Sequence, residues 1–223
     1  RKSFSGGFVV SLSGGADSSA VACLVKLMVD LSIHELGEDG FRERLGHIDF
    51  EGREPVERLL TCVYQATRNS GETTRNAAET LARAVGAQFQ EWDIDSLVVG
   101  YREMVEKGIG RELTWETDDI TLQNIQARVR APGVWMLTNI RNALLLATSN
   151  RSEAAVGYAT MDGDTCGGLS PIAGIDKAFL RQWLRWLERS GCEPDIQAIP
   201  ELEVVNVQAP TAELRPSEEN QTD

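Results

Sequence analysis

The sequence predicts an α/β fold: a doubly wound parallel sheet with helices on both faces. Three observations predict it. Short apolar, often β-branched runs alternate with amphipathic helical patterns, as crossovers between parallel strands require. The first run, Phe8-Val9-Val10-Ser11-Leu12-Ser13, feeds a Gly14-Gly15 turn that opens directly onto a helical pattern. A length of 223 residues suffices for one such domain with a substantial core.

The elements follow in order. The first strand spans residues 8–13, and a helix runs over 17–34 with Val21, Leu24, Val25, Met28 and Leu31 on its buried side. Residues 37–58 are charged and weakly periodic, and read as an excursion carrying one short helix. A second strand covers 59–64. The helix over 72–85 stops at Gly86, and a third strand occupies 88–92. Residues 94–107 form a helix ended by Gly108. Another runs over 121–130, where Pro132 ends or kinks it, and 134–142 continues as helix. The nearly all-apolar stretch 143–148 is a buried fourth strand. The helix over 176–189 has Asp176 as N-cap and Gly191 as stop, with Phe179, Leu180, Trp183, Leu184 and Leu187 as its apolar stripe. Residues 209–223 read as a polar, mobile tail.

There is no internal repeat or low-complexity segment, so 1–223 reads as one domain. Arg1-Lys2 in place of Met, and Gln221-Thr222-Asp223 at the other end, read as cuts in a longer chain.

The net charge of −12 argues against a nucleic-acid partner, which would call for a basic stripe. Positive charge for an anionic substrate must then be local, with Arg128, Arg130, Arg141, Arg151 and Lys177 as candidates. No apolar run approaches a membrane span, so no membrane partner is expected. Cys23, Cys62, Cys166 and Cys192 are scattered without a Cys-x-x-Cys pair, which fits a reduced, cytoplasmic setting. His34 and His47 are the only histidines, so a metal here should be held by oxygen ligands.

Ligands of a doubly wound sheet bind beyond the carboxyl ends of the strands, near the reversal of strand order. The loops after the first and fourth strands lie on that edge. Residues 11–18 and residues from Thr148 onward are therefore expected to meet across one crevice. Backbone N–H groups at a helix N-terminus suit a phosphate, and two glycines let the backbone form a concave nest. A carboxylate at Asp17 suits such a site when a divalent cation stands between it and the phosphates. Read alone, Asp17 and Ser18 serve equally well as helix caps.

The string Ser13-Gly14-Gly15-Ala16-Asp17-Ser18 resembles the pyrophosphate-binding loop of the N-type ATP pyrophosphatases. It is not a Walker A loop, whose Gly-Lys-Ser/Thr ending is absent. The resemblance implies ATP as co-substrate, cleaved between its α and β phosphates, with Mg²⁺ as cofactor. It makes Ser11, Leu12, Ser13, Gly14, Gly15, Ala16, Asp17 and Ser18 the ATP-binding loop.

Later motifs narrow the resemblance. They are Gln123-Asn124-Ile125-Gln126-Ala127-Arg128-Val129-Arg130, Ala147-Thr148-Ser149-Asn150-Arg151-Ser152-Glu153, Gly157-Tyr158-Ala159-Thr160, Gly163-Asp164, Leu169-Ser170-Pro171-Ile172, Lys177 and Ala209-Pro210-Thr211-Ala212-Glu213-Leu214. In this order, and over nearly the whole chain, they resemble the NAD synthetase family. The resemblance implies ATP-dependent amidation of deamido-NAD to NAD through an adenylate, with ammonia as nitrogen donor and AMP and pyrophosphate released. It implies Asp17 and Glu153 as metal ligands, and Thr148, Lys177 and Thr211 as ATP contacts. It implies Arg128 as a deamido-NAD contact, and Asp17, Lys177 and Asp164 as the catalytic residues, with Asp164 accepting the proton of ammonia.

The resemblance also implies a homodimer; the apolar region 134–146 reads equally well as its surface and as core packing. The wording of the later motifs is closer to the glutamine-dependent branch, which implies an amidase domain upstream. Met161 and Gly168 depart from the single-domain, ammonia-using members, which carry lysine and aspartate there. The shared phosphate loop leaves other readings open: a GMP synthetase, a tRNA thiolation enzyme, or a non-catalytic nucleotide-binding module. Acidic charge and unpaired cysteines count against thiolation.

Overall fold

A computed structural model describes residues 3–191, 197–209 and 213–215. Four strands, β1 (Phe8–Ser11), β2 (Leu60–Ala66), β3 (Gln88–Asp93) and β4 (Leu144–Leu146), form a parallel sheet in the order β3-β2-β1-β4. The helices in chain order are α1 (Ala16–Arg44), α2 (Pro55–Leu59), α3 (Glu72–Val85), α4 (Asp95–Ile109), α5 (Trp115–Arg128), α6 (Arg130–Ile140), α7 (Arg151–Val156), α8 (Lys177–Arg189) and α9 (Glu203–Asn206).

Alternation along the strands supplies both faces of the sheet. Val10, Leu12, Leu60, Cys62, Tyr64 and Leu146 join the larger core, which α1, α3 and α8 cover. Val9, Val63 and Leu145 point the other way, against Val134 of α6 and the Trp92 ring. Helix α5 stacks on α6, and α4 on α5. On α8 the fully buried Leu180, Leu184 and Leu187 supply the packing. Each stabilises the fold by about 2 kcal/mol relative to exposure.

The order runs outward from β1 to β3 and then returns to the other side of β1 as β4. The reversal lies between β1 and β4, so the loops that leave their carboxyl ends face one crevice. The doubly wound reading and its crevice therefore hold.

Several boundaries differ from the sequence reading, each for a local reason. Helix α1 continues past His34 to Arg44, because Gly37 takes φ 71° and ψ 162° and the helical run resumes beyond the break. The excursion thus contains a second helical piece besides α2. Helix α5 begins at Trp115, where the Thr114 hydroxyl caps it by accepting from the Thr117 N–H at 3.3 Å. Helix α5 stops at Arg128, whose carbonyl would have received the N–H that Pro132 lacks, so Pro132 marks the break. It sits in the first turn of α6, where a missing N–H costs nothing. Helix α4 runs on through Gly108 to Ile109 and is capped by Gly110 in the left-handed conformation. A 3₁₀ turn (Pro200–Leu202) and α9, which the sequence pattern did not suggest, pack against α8 and α3.

Two apolar stripes are only partly buried. Met28, Leu31 and Phe179, expected inside, are 41%, 50% and 56% exposed. Helix α1 does turn Val21 and Val25 inward, with Ala22 beside them, and its outer flank forms an apolar groove of about 460 Å³ with α8, lined in part by Leu24, Met28, Leu31, Phe179 and Trp183. Cys23, Cys62 and Cys166 are free thiols, and burial pushes the Cys23 thiol up to about 12. Cys192 lies outside the described residues. Among the described residues, no helix is long and apolar enough to cross a membrane.

Candidate active site

The glycine loop is held from within by its serines. The buried Ser18 hydroxyl accepts from the Ser13 N–H at 3.1 Å, lies 3.1 Å from the Ser13 hydroxyl, and donates to the Gly15 carbonyl at 3.3 Å. Gly15 is the N-cap of α1, and no side chain caps the helix. Asp17 and Ser18 therefore do not act as caps, and the first-turn N–H groups keep their capacity to bind an anion. Gly14 takes φ +82°, and a Cβ built on it would lie 2.1 Å from the Thr74 carbonyl oxygen. Only glycine lets the loop lie this close to α3.

The loop after β4 faces it. Asn150 is buried and is the N-cap of α7, in a reciprocal capping box with Glu153. The Asn150 side-chain carbonyl accepts from the Glu153 N–H at 3.0 Å, and the Asn150 N–H donates to Glu153 Oε2 at 3.3 Å. The Asn150 amide nitrogen donates to Asp17 Oδ1 at 3.0 Å, across the crevice.

Lys177, the first residue of α8, closes the arrangement. Its N–H donates to the Ser152 hydroxyl at 3.0 Å. Its ammonium donates to Asp17 Oδ2 and, at 3.3 Å, to Glu153 Oε1. Each carboxylate thus meets Asn150 with one oxygen and Lys177 with the other. Burial raises the Glu153 pKa above the usual carboxylate range, the charge of Asp17 raises it further, and Lys177 opposes both.

The third part is the loop after α7. Asp164 accepts from the Thr160 N–H at 2.8 Å, and burial pushes its pKa up, with a smaller contribution from the Asp17 charge. The Thr160 hydroxyl donates to Asn124 at 3.0 Å, and Arg128 Nε donates to the Met161 carbonyl at 3.0 Å. Arg128 and the Asp164 loop are therefore in contact. The loop then returns along β4, where the Gly168 N–H donates to the Leu145 carbonyl at 2.8 Å and Leu169 bridges Leu146.

The sequence-predicted residues divide clearly. Asp17, Glu153 and Lys177 come together, with residues 11–18 on one side and the Arg128–Asp164 pair of segments on another. Thr148 is half-buried just beyond the end of β4. Thr211 lies outside the described residues, but the neighbouring Glu213 is anchored at the start of α3 by Gly71 N–H at 3.2 Å and by the Thr74 hydroxyl at 2.7 Å. Arg151 turns to Asp176 at 3.0 Å. Arg141 lies among Arg53 and Arg58, away from the crevice, and Arg58 reaches the Gly6 carbonyl at the amino end of β1.

Comparison with known proteins decides the family. A family model described as NAD synthase matches residues 1–223. The chain belongs to the NAD synthase family. It is 36% identical over 215 residues to a glutamine-dependent NAD(+) synthetase of Aquifex aeolicus, covering 96% of this chain and 31% of that protein. It is 32% identical over 241 residues to one from Oryza sativa, covering 97% and 32%. The crystal structure of a glutamine-dependent NAD(+) synthetase from Cytophaga hutchinsonii matches at 48% identity and a TM-score of 0.84, covering 97% of this chain and 38% of that one. The chain spans about a third of the length of the curated relatives it matches.

The donor set of this NAD synthase domain fits magnesium. Asp17 and Glu153 supply hard carboxylate oxygens that already converge on one cation, the Lys177 ammonium. Among the described residues no group of three or more His, Cys, Asp or Glu forms a metal cluster. A pair of carboxylates completed by phosphate oxygens and water is the habit of Mg²⁺. Sequence reasoning gave no role to Asn150. The spacing Asn150-x-x-Glu153 is a capping-box signal and could have located it at a helix start, but not against Asp17.

Proposed function

We propose that this domain catalyses the ATP-dependent amidation of deamido-NAD to NAD. The observation that carries the reading is the convergence of Asp17 and Glu153 on the Lys177 ammonium beside the glycine loop. Membership in the NAD synthase family supports it and disfavours the GMP synthetase, tRNA thiolation and non-catalytic readings.

A carboxylate does not react with ammonia, because its oxygen is a poor leaving group. Attack of the deamido-NAD carboxylate on the ATP α-phosphorus breaks the α–β bridge and releases pyrophosphate. Ammonia then attacks the resulting acyl adenylate, the bond to AMP breaks, and one proton is lost. Residues 11–18 hold the phosphates, with the uncapped start of α1 contributing its N–H groups. Asp17 and Glu153 would hold magnesium, which supplies charge neutralisation between the phosphates and the incoming carboxylate.

Lys177 stabilises charge developing on the α-phosphate once its ammonium leaves the two acids. Thr148 and Thr211 contact ATP. Arg128 offers a guanidinium fork to the dinucleotide. Asp164, next to Arg128 along the same loop contact, captures ammonia and accepts its proton. The match to glutamine-dependent relatives three times the length of this chain supports ammonia delivery from an amidase domain. The exposed Met136 and Ile140 of α6 support a homodimer surface within 134–146.

The test is a product balance. Full-length protein with ATP, Mg²⁺, ammonia and deamido-NAD should form AMP and pyrophosphate one for one with NAD. ADP as the nucleotide product overturns the reading.

A further inference from the structure

We propose that Asn150 is a positioning residue for the acid pair: its side-chain amide holds the Asp17 carboxylate directly and fixes the backbone of Glu153 through the helix cap, so that one oxygen of each acid converges on a single cation. The inference rests on the reading of Asp17 and Glu153 as the residues that would hold magnesium.

The geometry assigns each polar group of Asn150 a separate task. The residue is 1% exposed. Its carbonyl accepts from the Glu153 N–H, its backbone N–H donates to Glu153 Oε2, and its NH₂ donates to Asp17 Oδ1. These bonds take the outer oxygens of both acids. The inner oxygens, Asp17 Oδ2 and Glu153 Oε1, both meet the Lys177 ammonium, which marks the position of the cation.

Helix capping alone does not explain the residue. Serine, aspartate and asparagine cap almost equally well. Of these, only asparagine carries its donor on a separate atom from its acceptor, so it can cap Glu153 and reach Asp17 at once. Aspartate would set a third anion against Asp17, and serine lacks the reach. The orientation of the amide follows from the network: a flipped amide would face an N–H with NH₂ and a carboxylate with a carbonyl. The two acids repel each other, and the Asp17 charge raises the Glu153 pKa. A neutral donor restrains one of them without competing with the metal for charge. In metal sites such outer partners orient the ligands, and losing one costs about 10–100-fold in metal affinity.

The experiment separates positioning from capping. In the full-length protein, ATP binding is measured by calorimetry as a function of Mg²⁺ for Asn150→Ser, Asn150→Thr, Asn150→Ala and Asp17→Asn, with melting temperatures recorded in parallel. Serine and threonine keep the cap but lose the amide nitrogen that reaches Asp17, and either one serves if the other does not fold. The expected result is that the Mg²⁺ concentration for half-maximal ATP binding rises at least about tenfold in the cap-competent variants as well as in Asn150→Ala, while metal-free ATP binding stays unchanged. Cap-competent variants that match the parent protein, beside an Asp17→Asn variant that does not, overturn the inference and leave the metal reading standing. An unchanged Mg²⁺ dependence in Asp17→Asn overturns the metal reading itself.

Discussion

The Lys177 ammonium pairs with the Asp17 carboxylate across 160 positions of sequence, joining the first turn of α8 to the first turn of α1. Both are helix N-termini, where a lysine is unfavourable and an aspartate favourable. The ion pair offsets the misplacement of Lys177 and keeps two like-charged acids in proximity.

Lys177→Ala should therefore lower turnover by roughly 10²–10³-fold, as loss of a preorganised charge does, with a smaller change in ATP affinity. Steady-state kinetics against ATP separates the two. A change in affinity alone would reassign Lys177 to ground-state binding. The same variant should melt at a lower temperature without ligand, because Asp17 and Glu153 then face each other unscreened, and added Mg²⁺ should restore part of the loss.

Asp164 makes stability depend on pH. Burial raises its folded pKa, so the native state holds a proton that the unfolded chain has already released. Its contribution is present below the ordinary carboxylate value and is lost as pH rises from there through the raised folded value. Asp164→Asn should flatten that decline, because the amide keeps the acceptor for the Thr160 N–H and never ionises. Chemical denaturation across the acid-to-neutral range measures it. A parallel decline in variant and parent would show that other groups carry the dependence. In catalysis the sign reverses: only ionised Asp164 accepts a proton, so activity of the parent should rise through the same window.

Gly14→Ala tests the contact between the glycine loop and α3. The left-handed φ of +82° and the 2.1 Å approach to the Thr74 carbonyl leave no room for a methyl group. The substitution should destabilise the fold by more than about 1 kcal/mol and weaken ATP binding, because the loop must move away from α3. Denaturation midpoints and ATP titration check both effects. Gly37→Ala, in an open break of α1 at φ +71°, strains the backbone without a clash and should leave ATP binding unchanged.

Residues 72–85 read as a helix and formed one with those bounds, because its amphipathic period and Gly86 stop are both local signals. The start of α5 escaped the reading because Thr114 caps a polar first turn with no apolar stripe to mark it. The helical pattern over 17–34 stops short of the end of α1 because the charged, weakly periodic residues beyond it carry no apolar stripe, and Gly37 breaks α1 without ending it. Phe179 continues an apolar stripe in sequence, yet lies on the outer flank of α8, where it borders the groove with α1 and stays 56% exposed among the described residues.

By itself the sequence determined the alternation of strand and helix, the glycine turn that leads from β1 into α1, and the family to which its ordered motifs point. Those are properties of neighbouring residues, whose spacing dictates which face is apolar and which N–H groups lie open. Tertiary structure alone decided that Asn150 would meet Asp17 and that Lys177 would pair with both Asp17 and Glu153. Three of the four come from different loops or helix starts, gathered where strand order reverses. Such a ring leaves no periodic trace in the chain, because its geometry is set by how β1, β4 and α8 pack.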